Sequence, residues 1–333
     1  NPEQRFHHLL YAWIFGTLFT VALTFIPAEK LVPVRFRFDK EYWKEVLIKA
    51  LPYGIALLLA QLYFRTGTVM MSLFGLKEET GVYGVAIRGV EIGILLPAYF
   101  MSSLLPVLTR ALKESMEKTK RIIQHGFDAM AILALPLLFG GIILAKPLVA
   151  VLASDAYISS GGFNGIGGTP GSDTVLTIVL FGMTFIFLHY VFGYSLVALG
   201  KQNVLLKINA VAAVTNITLN LILIPRYSFV GVSISAVVSE FIIFTLGFFA
   251  LKKHLFFTPK IWLFLKAFFC ALIMGMMIYL LDHWLRQAIG LKSLFLLIPM
   301  GGVIYIGLLV LTKTLTREMF ALLKKGGDLP PLS

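Results

Sequence analysis

Apolar residues in this chain come in blocks of about twenty, parted by short polar stretches. Blocks of that length match helices crossing a hydrocarbon layer ~30 Å thick. A membrane barrel would instead alternate apolar and polar positions in segments of about ten, and these runs do not alternate. The pattern predicts an all-α polytopic membrane protein with nine spans, at 8–26, 52–75, 84–107, 127–152, 174–198, 206–224, 228–250, 261–281 and 293–312. The tightest boundary is Ile224-Pro225-Arg226-Tyr227, where Pro225 ends one helix and a short turn begins the next. Two connections are longer. Residues 27–51 read as a linker followed by an amphipathic approach to the second span, with Tyr42 and Trp43 suited to the interface. Residues 153–173 are rich in Gly and Ser and read as a flexible loop.

Charge placement orients these spans. Twenty-one Lys and Arg lie on one set of alternate connections and five on the other. Positive residues favour the cytoplasmic side, which puts residue 1 outside and the C-terminus inside. The same placement accounts for the net charge of +12 without nucleic acid, since these loops face anionic lipid. Overall composition agrees: of 333 residues, 58% are hydrophobic and 14% charged, where a soluble domain carries about 25% charged. Cys270 is the only cysteine, which excludes a disulfide framework or a thiolate metal cluster. No small-residue cleavage site follows the first block, so it reads as a span rather than a signal peptide. The Asn1-Pro2-Glu3 start without Met suggests the later part of a longer protein.

Enzyme signatures are largely absent, and neither cofactor nor metal is expected. GGFNGIGGTPG, residues 161–171, lacks the Gly-Lys-Ser/Thr of a phosphate loop, and the six histidines include no His-Glu-x-x-His spacing. The informative residues are ionisable groups inside spans, which are expensive there and mark functional cavities by default. These are Arg65, Arg88, Glu91 and Glu240; Lys146 lies near a span end and can snorkel outward. A short connection makes the second and third spans antiparallel neighbours, so Arg65, Arg88 and Glu91 are expected to share an outer-half cavity of net charge +1. Two readings stand: Glu91 neutralises one Arg and fixes packing, or the spare Arg attracts an anion, which Arg can bind through two bonds. Glu240 reads as a structural hydrogen bond or as a proton- or ion-coupling group. His189, beside Tyr190 and Tyr194, reads as a helix contact or a proton relay. Asn209, Asn216 and Asn220 share one helix face suited to interhelical hydrogen bonds. Pro97 and Pro136 predict kinks.

Two stretches carry a family resemblance. Residues 63–110 hold a Gly-x-Tyr-x-x-Ala-x-Arg element (Gly81, Tyr83, Ala86, Arg88) and a Leu-Pro-x-Leu-x-Arg ending. Residues 196–240 hold an Ala-Leu-Gly-Lys turn, Asn-Leu-x-Leu-Ile-Pro-x-Tyr and a closing Ser-Glu. In order and spacing these resemble the polysaccharide-biosynthesis flippases of the multidrug/oligosaccharidyl-lipid/polysaccharide exporter superfamily. The resemblance implies the last nine helices of a fourteen-helix, two-lobe fold. Residues 1–40 would close the first lobe and form the linker, 41–255 would form the six-helix second lobe, and 256–333 the final helix pair and cytoplasmic tail. Relatives often carry Asp two residues after the Arg of the second span; Gly67 stands there, leaving Arg65 without a local counter-ion.

The resemblance implies a flippase of the cytoplasmic membrane, not an enzyme. Its cargo would be a polyprenyl-(pyro)phosphate-linked oligosaccharide for cell-surface polysaccharide such as O-antigen, moved by alternating access. A polysaccharide polymerase or export machinery would be its partner. A lipid II flippase for peptidoglycan and a cation-coupled multidrug exporter are the alternatives. An exporter of organic cations calls for unpaired carboxylates, which the excess of Arg argues against.

Overall fold

The computed structural model describes residues 2–31, 39–161 and 167–314. Arg35, Arg37, Arg317, Lys324, Lys325 and the centre of the glycine-rich loop lie outside these ranges. Among the described residues the regular structure is helical: α1 (Pro2–Leu31), α2 (Lys40–Leu73), α3 (Lys77–Glu114), α4 (Met116–Ile143), α5 (Ala145–Leu152), α6 (Ser172–Ala198), α7 (Gln202–Leu255), α8 (Trp262–Ile289) and α9 (Leu294–Leu311). Short 3₁₀ turns occupy Asp155–Tyr157 and Gly290–Ser293.

Among the described residues six helical stretches are long and apolar enough to cross a membrane. Two of these stretches each hold two of the expected spans, joined across a backbone break. In α1 the described apolar fragment is Tyr11–Phe25. The spans expected at 206–224 and 228–250 are the two arms of the 54-residue α7, which meet at a kink, and those at 261–281 and 293–312 are α8 and α9 within the stretch Trp262–Leu311. Each long stretch contains a backbone break. In α7 it falls at Ser228 (φ 49°, ψ −131°), three residues beyond Pro225. The chain folds back closely there, since a Cβ on Gly231 would lie 2.6 Å from the Leu223 carbonyl oxygen. In the other stretch the break is the Gly290–Ser293 turn, where Gly290 takes φ 62°. The span expected at 127–152 is divided into α4 and α5. Pro147 sits in the first turn of α5, where its missing N–H is harmless, and its ring disfavours continuous helix back to residue 143, where α4 ends.

The chain divides into two compact units, Asn1–Ala50 and Leu51–Ser333. In the first, α1 satisfies hydroxyls within its apolar length: Thr17 Oγ1 donates to the Trp13 carbonyl (2.8 Å) and Thr20 Oγ1 to that of Gly16 (2.9 Å). The start of α2 is capped by Asp39, whose Oδ1 accepts from the backbone N–H of Glu41 (3.0 Å) and Tyr42 (3.1 Å).

The second unit is built round α6, which packs against α7, α3 and α4, while α8 joins α4 to α9. Phe192 of α6 is fully buried and meets Phe127, Phe244 and Phe248 at ring separations of 5.5–6.2 Å. Large apolar side chains such as Leu58, Ile92, Phe269 and Val303 cover the outside, as a bundle surrounded by hydrocarbon requires. The loop at 153–173 is pinned rather than loose in its described part. Asp173, in the first turn of α6, is buried and accepts from the Ser159 N–H (2.8 Å) and hydroxyl (2.5 Å). Ser172 Oγ donates to the Val82 carbonyl of α3 (2.7 Å).

Candidate functional site

The first group of predicted residues sits where α2 and α3 run side by side. Arg65 Nη1 lies 3.0 Å from Glu91 Oε1, with the Arg side chain 66% exposed and the Glu 25%. That oxygen is buried yet accepts no aligned hydrogen bond, so the pair is held by charge proximity rather than by a directed bond. Arg88 lies one turn before Glu91 on α3, is exposed, and makes no ion pair among the described residues. Because α3 begins at Lys77, Arg88 and Glu91 lie about 16 and 21 Å along it at 1.5 Å per residue. Gly67 is two residues from Arg65 but faces another helix: a Cβ placed there would sit 2.2 Å from Val232 Cγ1. Residues two apart on a helix do not face each other, so Asp at this position would meet α7, not Arg65. The counter-ion of Arg65 comes from α3 instead.

The second group lies inside the bundle. Glu240 of α7 is buried and holds two partners: the Tyr63 hydroxyl donates to Oε1 (2.8 Å), and His189 Nε2 faces Oε2 (2.8 Å). Thus α2, α6 and α7 meet on one carboxylate. The rings of His189, Tyr190 and Tyr194 follow along α6 at 5.3 and 6.2 Å. Asn216 Nδ2 donates to Ser239 Oγ (3.2 Å), joining the two arms of α7, and Asn220 Nδ2 donates to Asn216 Oδ1 (2.9 Å) within the first arm. Asn209 Nδ2 donates to the Ala56 carbonyl of α2 (2.9 Å). The sequence singled out His189 and Glu240 separately. Tyr63 was missed, having been read only as part of an apolar run.

Tyr63 also separates two hollows. One, of about 190 Å³, is lined by Tyr53, Tyr63, His189, Tyr190, Tyr194 and Asn209 among others, toward the N-terminal end of α2. The other, of about 30 Å³, is bordered by Tyr63, Tyr83, Asn216 and Glu240, toward the start of α3. A third, apolar groove of about 420 Å³ runs along α3, α4, α8 and α9, past Gly89, Gly93, Gly140, Met274 and Gly301. No group of three or more His, Cys, Asp or Glu is arranged to hold a metal among the described residues.

Long apolar helices carrying a cationic face and a buried polar centre are the build of a membrane transporter. The profile of the family described as Lipid II flippase MurJ matches residues 2–300. The chain belongs to that family. It is similar to the capsular polysaccharide biosynthesis protein CapF of Staphylococcus aureus, with 27% identity over 210 residues, covering 60% of this chain and 48% of that protein. It is also similar to the probable flippase AglR of Haloferax volcanii, with 24% identity over 180 residues, covering 52% and 34%. The MurJ-family chain therefore spans about half, or less, of the length of these relatives. A solved structure of the lipid II flippase MurJ in its inward closed conformation shares the fold. It aligns with a TM-score of 0.64 and 17% identity, over 86% of this chain and 58% of that one. The family is described as one of flippases; CapF is named for capsular polysaccharide biosynthesis and AglR as a probable flippase.

Proposed function

We propose that this MurJ-family chain forms the C-terminal part of a flippase carrying a polyprenyl-(pyro)phosphate-linked oligosaccharide across the cytoplasmic membrane. The observation that carries this reading is the face where the exposed Arg65 and Arg88 flank the partly buried Glu91. Three ionised groups well within spanning helices cannot rest against hydrocarbon, and their net charge of +1 suits an anionic headgroup. Arg88, lacking an ion pair, makes the first contact with the pyrophosphate. Arg65 then exchanges Glu91 for a phosphate oxygen, a swap between two anions that leaves no charge stranded. The apolar groove along α8 and α9 suits the polyprenyl tail, which stays in hydrocarbon while the headgroup crosses. Rocking of residues 41–255 against a preceding lobe supplies alternating access, with residue 1 outside, the C-terminus in the cytoplasm and a polysaccharide polymerase receiving the product. Glu240, Asn216 and Asn220 hold the second lobe together, and Glu240 has a further role argued below.

A second cargo, lipid II, is favoured by the family profile itself; both cargoes present a pyrophosphate to the same arginines. Complementation with the complete gene separates them, in a mutant lacking export of a surface glycan and in a strain depleted of its lipid II flippase. Rescue of the first alone supports the polysaccharide cargo, and rescue of the second alone supports lipid II. Full activity of both Arg65→Ala and Arg88→Ala in whichever strain is rescued would refute the cationic face.

A further inference from the structure

We infer that the His189–Glu240 pair is a proton-binding site, reached by water from opposite ends of the bundle and coupling proton movement to transport. The coupling half of this inference rests on the flippase reading; the proton-binding half does not.

Two features of the geometry carry it. First, the 2.8 Å contact between His189 Nε2 and Glu240 Oε2 joins two atoms that both accept when deprotonated. A proton must lie between them, so the pair always holds at least one. It can take a second on the free imidazole nitrogen, becoming imidazolium and carboxylate. The pair thus alternates between net charge −1 and 0, with the Tyr63 hydroxyl donating to the carboxylate in both states. Second, the pair stands between the two hollows. His189 lines the one of about 190 Å³, which extends to Tyr53 of α2 and to Asn209 in the first part of α7. Glu240 lines the one of about 30 Å³, bordered by Tyr83 and Asn216 on the opposite side. One water needs about 10–15 Å³, so the smaller hollow holds one or two and the larger several. Tyr63 borders both and parts them.

The groups facing the pair are few. From α2 come Tyr53 and Tyr63, from α3 Tyr83, from α6 Tyr190 and Tyr194, and from α7 the uncharged Asn209 and Asn216. Arg65, Arg88 and Glu91 line neither hollow. Among the described lining residues of the two hollows, His189 and Glu240 are the only His, Asp, Glu, Lys or Arg. The balance of a cycle is simple: hydronium in one hollow gives its proton to the pair and leaves water. The pair later returns a proton to water in the other hollow, regenerating the starting state. With the Tyr53 end facing the cytoplasm, protons enter from the Tyr83 side and leave past Tyr53, opposite to the outward cargo.

The test uses the complete protein in liposomes, with Glu240→Gln and His189→Gln. Glutamine keeps an acceptor for Tyr63 and cannot titrate, so a merely structural role survives in Glu240→Gln. Infrared spectra recorded between about pH 5 and 8, the range natural to His, should show imidazole protonation accompanied by a shift of the carboxylate band, a coupling that disappears in Glu240→Gln. Identical pH responses in wild type and Glu240→Gln overturn the inference. In the transport arm the probe is a fluorescent polyprenyl-pyrophosphate disaccharide. One imposed pH unit should shift its leaflet distribution about tenfold if one proton moves per cycle, and about onefold in either Gln variant. A shift that persists in Glu240→Gln, or that follows a sodium gradient instead, also overturns it. If the wild type moves no probe, the flippase reading fails, while the infrared titration still decides the proton site.

Discussion

Gly67→Ala adds a single methyl where α2 meets α7 and should weaken the fold although Ala is the better helix former. The new Cβ would lie 2.2 Å from Val232 Cγ1, against 3.4 Å for ordinary contact, so the helices must part by about 1.2 Å or Val232 must leave its place. Overpacking of this kind costs about 1–3 kcal/mol, and the helical preference for Ala returns about 0.5–1 kcal/mol. A net loss of up to about 2 kcal/mol corresponds to a melting temperature lower by a few degrees. Cys270, the one cysteine, is buried, so a fluorogenic maleimide reports unfolding of the detergent-solubilised protein without further labelling. Val232→Ala alone opens a cavity and destabilises. Combined with Gly67→Ala it relieves the clash, so the double variant should be less damaged than the sum by about 1–3 kcal/mol. A rise in melting temperature for Gly67→Ala, with the two changes additive within about 0.5 kcal/mol, would refute the close approach.

Other outcomes follow from the same geometry. Arg65→Ala and Arg88→Ala should each lower complementation, and Lys at either position should restore part of it, because Lys keeps the charge but not the two-bond fork. Exchanging the partners as Arg65→Glu with Glu91→Arg should retain more activity than either single reversal, measured in the same strain. Asp173→Ala should free the loop from α6, since it removes both acceptors of the Ser159 N–H and hydroxyl. The loss is about 1–3 kcal/mol, read as faster proteolysis within residues 153–171. Asn209→Leu removes the bond to the Ala56 carbonyl and should destabilise by about 0.6–1.7 kcal/mol, seen as a lower melting temperature in the thiol assay.

The membrane class and most helix positions were legible because hydrocarbon imposes a coarse rule: about twenty apolar residues per crossing. Boundaries set by individual backbone angles were not. Ser228 carries φ 49° in a sequence with no glycine at that point, so the turn announced itself only through Pro225, three residues early. The ionisable residues were also legible as a short set, since any charge in such a run stands out. Their partnerships were another matter. Tyr63 and Glu240 are 177 residues apart in sequence, and a tyrosine inside an apolar block looks the same whether it touches lipid or a carboxylate. The part played by Gly67 was similarly hidden: its meaning lies in Val232 across the helix contact, not in the neighbouring Arg65.

The reversal at Ser228 also bears on how the protein enters the bilayer. Its two arms are zipped by Asn216 and Ser239, which would be exposed to hydrocarbon if the arms arrived one at a time. Entering as a hairpin, they bring these amides and hydroxyls already satisfied. The connection to be carried across, Pro225-Arg226-Tyr227, holds one formal charge. The segment is thus suited to leave the insertion machinery as a single unit, with α6 as the template against which it docks.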